Sequence, residues 1–343
     1  MAFLSVIFTA RLKLTLCWTN EAGCLSKPQR LNSPAGRGMQ PGLVVAGFGR
    51  HVLVETTDGQ RIICHPRGKK GQALVGDNVQ WLASEDEGTI EKIDERSNVF
   101  YRQDELRTKS FAANLDQILI LMAAEPEFSE NQLTRALIAA EAAGIKPIIA
   151  LNKSDLVEPF GRGWAKLEPY RAMGYNMLPL AIKPKTDASD NTDQTAILMG
   201  LLQGKKTLVL GPSGAGKSSL TNLLIPAAKV LTAEISQALN SGKHTTTSTT
   251  LYWVDADHTT ALIDSPGFQE FGLNHIQPMQ LAQLMPDFKT HAQNCKFYNC
   301  THLHEPGCGV LLEMKSGYSP IKIGASRYKL YSELFAELSQ TRY

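Results

Sequence analysis

The sequence predicts a multidomain chain: a small β-barrel, then an α/β domain on a mostly parallel sheet, then a short, mainly α segment folded around a metal. Three observations predict it. Short strand-like runs separated by turn residues fill 42–101. From Asn114 onward apolar strands alternate with helical stretches, and one strand leads into a glycine-rich loop ending in Lys217 and Ser218. Near the C-terminus three cysteines and a histidine fall in the pattern Cys295-x4-Cys300-x-His302-x5-Cys308. At 343 residues the chain has room for about two or three domains. The apolar share of 43% is ordinary, and a net charge of +2 does not by itself announce a nucleic-acid partner. No apolar run approaches the ~20 residues of a membrane span, so no membrane partner is expected.

Residues 1–38 are expected to be a disordered leader. Phe3 to Phe8 is apolar, but Arg11 and Lys13 interrupt it, and no charge precedes it as a signal peptide requires. Lys27 to Gly38 is rich in Pro, Gly, Ser and Arg. Met39 stands just before the first strand-like run and is a candidate start; a targeting sequence is the alternative.

The expected barrel domain is 39–107. Its strands are Leu43-Ala46, His51-Glu55, Arg61-Cys64, Val79-Leu82, Gly88-Ile93 and Asn98-Tyr101, with Asp58-Gly59 and Gly76-Asp77 as turns. About five short strands in about 65 residues suggest an antiparallel barrel, and an OB-fold is the commonest such answer. Such barrels often bind nucleic acid. Arg67, Lys69 and Lys70 form a small basic cluster, yet acidic residues are as frequent here, so a packing module is the competing reading.

The expected α/β domain is 108–272. Strands are read at Asp116-Met122, Pro147-Leu151, Met177-Ile182, Thr207-Leu210, Leu251-Val254 and Ala261-Ile263; helices at Glu130-Ala143, Trp164-Met173 and Ala196-Gln203. Alternation of this kind implies a mostly parallel sheet covered on both faces.

Gly211-Pro212-Ser213-Gly214-Ala215-Gly216-Lys217-Ser218 fits G-x-x-x-x-G-K-[ST] in full, after a strand and before the helix that Ser219 continues. Glycines let backbone N–H groups turn around phosphate oxygens, and the helix N-terminus adds positive charge. Lys217 is expected on the β/γ-phosphates and Ser218 on Mg²⁺. Asn152-Lys153-Ser154-Asp155 follows another strand. Asp155 can accept both adjacent donors of a guanine, Asn152 can bond its ring nitrogen, and the Lys153 stem can lie on its face. Asp264-Ser265-Pro266-Gly267 follows a third strand. Asp264 can hold Mg²⁺ through water, and the Gly267 amide can meet a γ-phosphate. The loop Gly242 to Thr247 offers Thr246 first, then Thr245 and Thr247, as a Mg²⁺ ligand in an order–disorder switch.

These motifs resemble those of a translation-factor-like GTPase in the wrong order, with Asn-Lys-x-Asp first, so the domain looks circularly permuted. With a barrel before it and a Cys/His cluster after it, the chain from about Met39 resembles the ribosome small subunit-dependent GTPase A family (RsgA, also called YjeQ or YloQ). That resemblance implies a monomeric, cytoplasmic bacterial GTPase that binds GTP and GDP, assists late maturation of the small ribosomal subunit, and binds its rRNA. Two departures stand out. The family's serine-containing guanine loop reads Leu180-Ala181-Ile182-Lys183, which lacks side-chain support. Phe268 also follows Gly267, where a water-orienting glutamine stands in Ras-like enzymes. His244 is the nearest candidate for that role, alongside Lys217 and Thr246 as catalytic groups. Slow hydrolysis that quickens on the ribosome is therefore expected.

The segment 273–343 is expected to be a zinc-binding helical subdomain. Three thiolates and one imidazole suit a closed, structural tetrahedral Zn²⁺ site, one per chain. His304 and His291 rival His302 on spacing; the resemblance favours His302. Ser326 to Leu338 reads as a terminal helix. A competing functional class is a nucleotide-regulated RNA-binding module whose hydrolysis is incidental; Ser218→Ala separates the two by sparing GTP-dependent RNA binding. An ATP-dependent kinase is disfavoured by Asn152 to Asp155.

Overall fold

The computed structural model describes residues 38–68, 72–84, 87–104, 108–183, 191–228, 249–268, 271–317 and 319–340. The leader call on 1–38 therefore lies almost wholly outside the described residues.

Five strands form the barrel: β1 (Gln40–Phe48), β2 (His51–Thr56), β3 (Arg61–Pro66), β4 (Asn78–Ala83) and β5 (Gly88–Ile93). Their order β1-β2-β3-β5-β4 closes because β4 also pairs with β1. Val44, Val54, Cys64, Val79, Trp81 and Ile90 fill the interior. Gly88 is forced by that filling: a Cβ there would sit 2.4 Å from the Cys64 sulfur and 2.9 Å from the Trp81 ring.

The run at Asn98–Tyr101 does not join the barrel. It becomes β6 (Val99–Gln103), which pairs with β7 (Thr108–Ala113) in a separate two-stranded sheet and bridges Leu273 through Gln103. The reason is aromatic packing. Phe100 and Phe111 are buried against Phe271, at ring separations of 5.9 and 6.2 Å, and so face the main core.

The central sheet runs β10 (Asn176–Leu180), β9 (Lys146–Asn152), β8 (Gln117–Ala123), β11 (Lys206–Leu210), β13 (Ala261–Asp264), β12 (Thr250–Trp253). Neighbours are parallel except β12, which is antiparallel to β13. All seven residues of β8 are buried, as expected of a parallel strand covered on both faces. Helices α1 (Glu130–Ala142), α2 (Val157–Lys166), α3 (Glu168–Ala172), α4 (Asn191–Leu202) and α5 (Lys217–Leu224) connect the strands. The single helix expected over Trp164–Met173 is two, broken at Leu167, because Pro169 lies in the first turn of α3. One pairing, Ala46 with Thr250, joins the barrel's β1 to the edge strand β12.

Beyond the sheet lie a 3-10 helix (Pro278–Leu284), α6 (Pro286–Ala292), α7 (Gly309–Ser316) and α8 (Ala325–Leu338). Helix α8 docks through a buried ion pair: the Arg327 guanidinium meets both Asp287 oxygens at 2.9 and 3.1 Å and donates to Thr134 of α1 at 2.8 Å. Burial works against the Arg327 charge, but Asp287 beside it holds the guanidinium firmly protonated. Among the described residues no helix is long and apolar enough to cross a membrane.

Candidate functional site: a nucleotide cradle and a Cys/His knot

Chain connections diverge from the neighbouring strands β8 and β11: β9 and β10 lie on one side, β13 and β12 on the other. Ligands bind outside the carboxyl ends of strands at such a reversal. The loops after β9, β10, β11 and β13 all emerge at that end, and they carry Asn152–Asp155, Ala181–Lys183, Gly211–Ser218 and Asp264–Gly267.

Asn152 ties three of these loops together. Its Nδ2 donates to the Ala215 carbonyl at 3.0 Å, and its Oδ1 accepts from the Ile182 N–H at 3.1 Å and the Lys153 N–H at 2.8 Å. The side chain is buried, so these bonds are made in low dielectric and hold the end of β9 against the Gly211–Ser218 loop. Gly216 caps α5 with φ at +107°, and a Cβ there would lie 2.5 Å from Asn152 Nδ2, so only glycine permits the approach. Lys153 has a positive φ, and its ammonium reaches the Glu125 carbonyl. Ser154 donates its N–H to the Leu180 carbonyl at 2.9 Å, and Asp155 stays half-exposed beside it.

Lys217 is buried, and its Nζ donates to the carbonyls of Gly211 at 2.8 Å and Pro212 at 2.9 Å. The ammonium lies next to Gly267: a Cβ built on that glycine would be 3.2 Å from Nζ. Ser218 and Ser219 follow in the first turn of α5. Asp264 ends β13, buried, with Oδ1 making no hydrogen bond among the described residues. Burial pushes its carboxyl up to about 6, with Lys217 pulling the other way. Burial likewise lowers the Lys217 pKa, while Asp264 supports its charge. A buried carboxylate oxygen without a partner beside a phosphate loop is what a hydrated Mg²⁺ would satisfy.

Phe268 turns away from this opening. It is buried and meets Phe271 edge-on at 5.4 Å. His244, Thr245, Thr246 and Thr247 lie outside the described residues, as do Lys69 and Lys70 of the basic cluster. Arg67 is paired to both oxygens of Glu91, at 2.9 and 2.7 Å.

The expected lack of side-chain support in the Ala181-Ile182 loop is corrected. Gln194 of α4 accepts from the Ala181 N–H through Oε1 at 3.0 Å, and its Nε2 lies 3.5 Å from Ser154 Oγ. Sequence reasoning missed Gln194 because no motif marks it; it acts from the helix after the loop.

The second constellation brings Cys295, Cys300, His302 and Cys308 together, with ligand atoms all within 4.8 Å of one another. Cys295 and Cys308 sulfurs are 3.9 Å apart, and each lies 3.4 to 3.5 Å from His302 Nδ1. A tetrahedron with Zn–S near 2.3 Å and Zn–N near 2.05 Å has edges of about 3.8 and 3.6 Å, so the set fits zinc. Burial pushes the Cys300 thiol up to about 12, raises the Cys308 thiol as well, and lowers His302. His291 is engaged elsewhere, with Nε2 donating to the Ile321 carbonyl at 2.9 Å, and His304 stays on the rim. Glu305 organises the loop by accepting from Thr301 N–H at 2.8 Å and from the Leu303 and His304 N–H groups at 3.3 Å. Tyr328 and Tyr331 of α8 donate to the carbonyls of His302 and Thr301, at 3.0 and 2.9 Å.

The family model described as RsgA GTPase matches residues 93–274. The chain is 68% identical over 316 residues to the small ribosomal subunit biogenesis GTPase RsgA of Variovorax paradoxus (strain S110), covering 92% of this chain and 98% of that protein. The protein of the same name from Paraburkholderia xenovorans (strain LB400) is 51% identical over 304 residues, covering 87% of this chain and 93% of the other. Among solved structures, YloQ, a circularly permuted GTPase, aligns with TM-score 0.64 at 28% identity, covering 91% of this chain and 99% of its own. YjeQ from Thermotoga maritima aligns with TM-score 0.65 at 29% identity, covering 89% and 100%.

Proposed function

The chain belongs to the RsgA GTPase family, and on that premise we propose that its cradle binds GTP and hydrolyses it to GDP and phosphate in the biogenesis of the small ribosomal subunit. The observation that carries this reading is the convergence of Lys217, Asp264 and the Asn152 tie at one end of the sheet. In it, Asp155 accepts from N1–H and the exocyclic amine of guanine, and the Lys153 stem covers the base. Backbone N–H groups of 213–218 surround the phosphates. Lys217 releases the Gly211 and Pro212 carbonyls to meet the β- and γ-phosphate oxygens, and the Gly267 amide meets the γ-phosphate. Ser218, Thr246 and, through water, Asp264 are the residues that would hold Mg²⁺. When bound, the cation would neutralise negative charge on the β- and γ-phosphates. His244 accepts from the attacking water, since the Phe268 ring is committed to the core.

In the same reading the Cys295, Cys300, His302 and Cys308 set binds one structural Zn²⁺ per chain. The domains run 39–107, 108–272 and 273–343, the chain works as a cytoplasmic monomer, and the small subunit and its rRNA are its partners. A switch loop awaiting an external partner implies slow hydrolysis alone and faster hydrolysis on the subunit. Single-turnover GTP hydrolysis with and without purified small subunits tests this. Equal rates would remove the stimulation, and ATP displacing bound GDP as well as GTP does would remove the guanine reading.

A further inference from the structure

Guanine and adenine differ most sharply at position 6, where guanine carries an accepting oxygen and adenine a donating amine. A protein selects guanine there by aiming a fixed backbone N–H at that oxygen. On the guanine reading the loop at the base is Leu180–Lys183, which follows β10 and lies against Asn152 and Ser154. That loop carries no side chain able to brace itself: Ala181 and Ile182 are apolar and buried. Buried backbone N–H groups need acceptors, and both are supplied from outside the loop. Asn152 Oδ1 takes the Ile182 N–H, and Gln194 Oε1 takes the Ala181 N–H at 3.0 Å. An N–H can only donate, so the Gln194 oxygen is the atom that faces Ala181. The same side chain reaches toward Ser154 Oγ, one residue from Asp155.

We propose that Gln194 is a positioning residue for base selection: with the Ala181 N–H held by Gln194 and the Ile182 N–H held by Asn152, the loop is fixed so that its next N–H, that of Lys183, is the donor presented to guanine O6. This rests on the guanine reading above. It explains how a loop without the usual serine still reads a base: the acceptor has moved from the loop itself to the first turns of α4. Gln194 acts through the loop and touches no substrate atom.

The test is equilibrium binding of three diphosphates to the full-length protein in Mg²⁺: GDP, IDP, and the 2-aminopurine riboside diphosphate, which lacks O6. Gln194→Met keeps the length of the side chain and removes the acceptor; Gln194→Glu keeps the acceptor. Gln194→Met is expected to weaken GDP and IDP alike by about tenfold, as for one well-aligned hydrogen bond, and to leave the O6-lacking analogue unchanged. Gln194→Glu is expected to stay within about threefold of the unaltered protein for GDP. Equal weakening of all three ligands would make Gln194 a structural brace only and overturn the proposal, as would GDP binding untouched by Gln194→Met. If the unaltered protein binds ADP as well as GDP, the guanine reading itself fails, and this inference with it. If it prefers GDP and Gln194→Met retains that preference in full, only the role of Gln194 is lost.

Discussion

The nucleotide cradle and the Cys/His knot are built in opposite ways. The cradle gathers loops from four strands, and all its buried polar groups but Asp264 find partners among themselves: Asn152 with Ala215 and Ile182, Lys217 with two loop carbonyls. The knot takes all its candidate ligands from one short stretch and brings three sulfurs and an imidazole to face each other, with the Gly309 N–H donating to the Cys295 sulfur. One site is braced largely by its own hydrogen bonds; the other is a set of ligand atoms brought within reach of a single cation. The lesson is that ligand loss should be silent in the first and structural in the second.

The largest expected effect follows from that contrast. Structural zinc in small peptides contributes on the order of 10 kcal/mol of folding free energy. Stripping the metal, or Cys308→Ser, is expected to expose the loop at 295–308 to protease and to loosen α7 and the Tyr328 and Tyr331 contacts of α8. GDP affinity should stay within about threefold, because among the described residues no hydrogen bond or ion pair links 295–308 to the cradle residues. Metal content, limited proteolysis and GDP titration check this together. Parallel loss of zinc and GDP affinity would break the comparison by making the two sites one cooperative unit.

Next in size is Lys217→Ala. Removing one preorganised donor to transferring phosphoryl oxygens is expected to lower GTP turnover by about two to three orders of magnitude. Zinc content and protease resistance of 295–308 should be unchanged. Single-turnover kinetics beside metal analysis read both, and a variant that also sheds zinc would contradict the independence of the two regions.

The same contrast decides what could be read from sequence. Gly211–Ser218 and Cys295–Cys308 were legible because their chemistry is local: consecutive amides cradle phosphate, and closely spaced thiols share one ion. The barrel strands and the alternating sheet were legible from turn residues and apolar runs. What sequence did not show is long-range. Gln194 meets Ala181 across a loop, Arg327 meets Asp287 from another helix, and Phe100 leaves the barrel because Phe268 and Phe271 await it in the core. None of these has a spacing rule, since each depends on where folding brings two distant elements. The break at Leu167 is different: Pro169 announced it, and the apolar spacing of the helix hid it.

The smallest expected effect concerns Asp264, among the described residues the cradle's one buried polar group with an oxygen left short of a partner. Its carboxyl stands at about 6 in the free protein against 3.8 ordinarily, raised first by burial. A raised carboxyl favours the protonated native state. Its contribution to stability is thus full below about pH 4 and is lost as pH rises through about 6, a cost of about 3 kcal/mol at neutral pH. Binding of Mg²⁺ with nucleotide runs the other way, since a water-bridged cation needs the carboxylate. Between about pH 7 and pH 5, GDP affinity in Mg²⁺ should fall by about tenfold more in the unaltered protein than in Asp264→Asn, whose side chain does not titrate. The titration is done for both proteins across that range, so the nucleotide's own phosphate ionisation cancels in the ratio. Identical pH profiles would show that Asp264 stays ionised without its cation, and the cradle would then need no ligand to satisfy any of its groups.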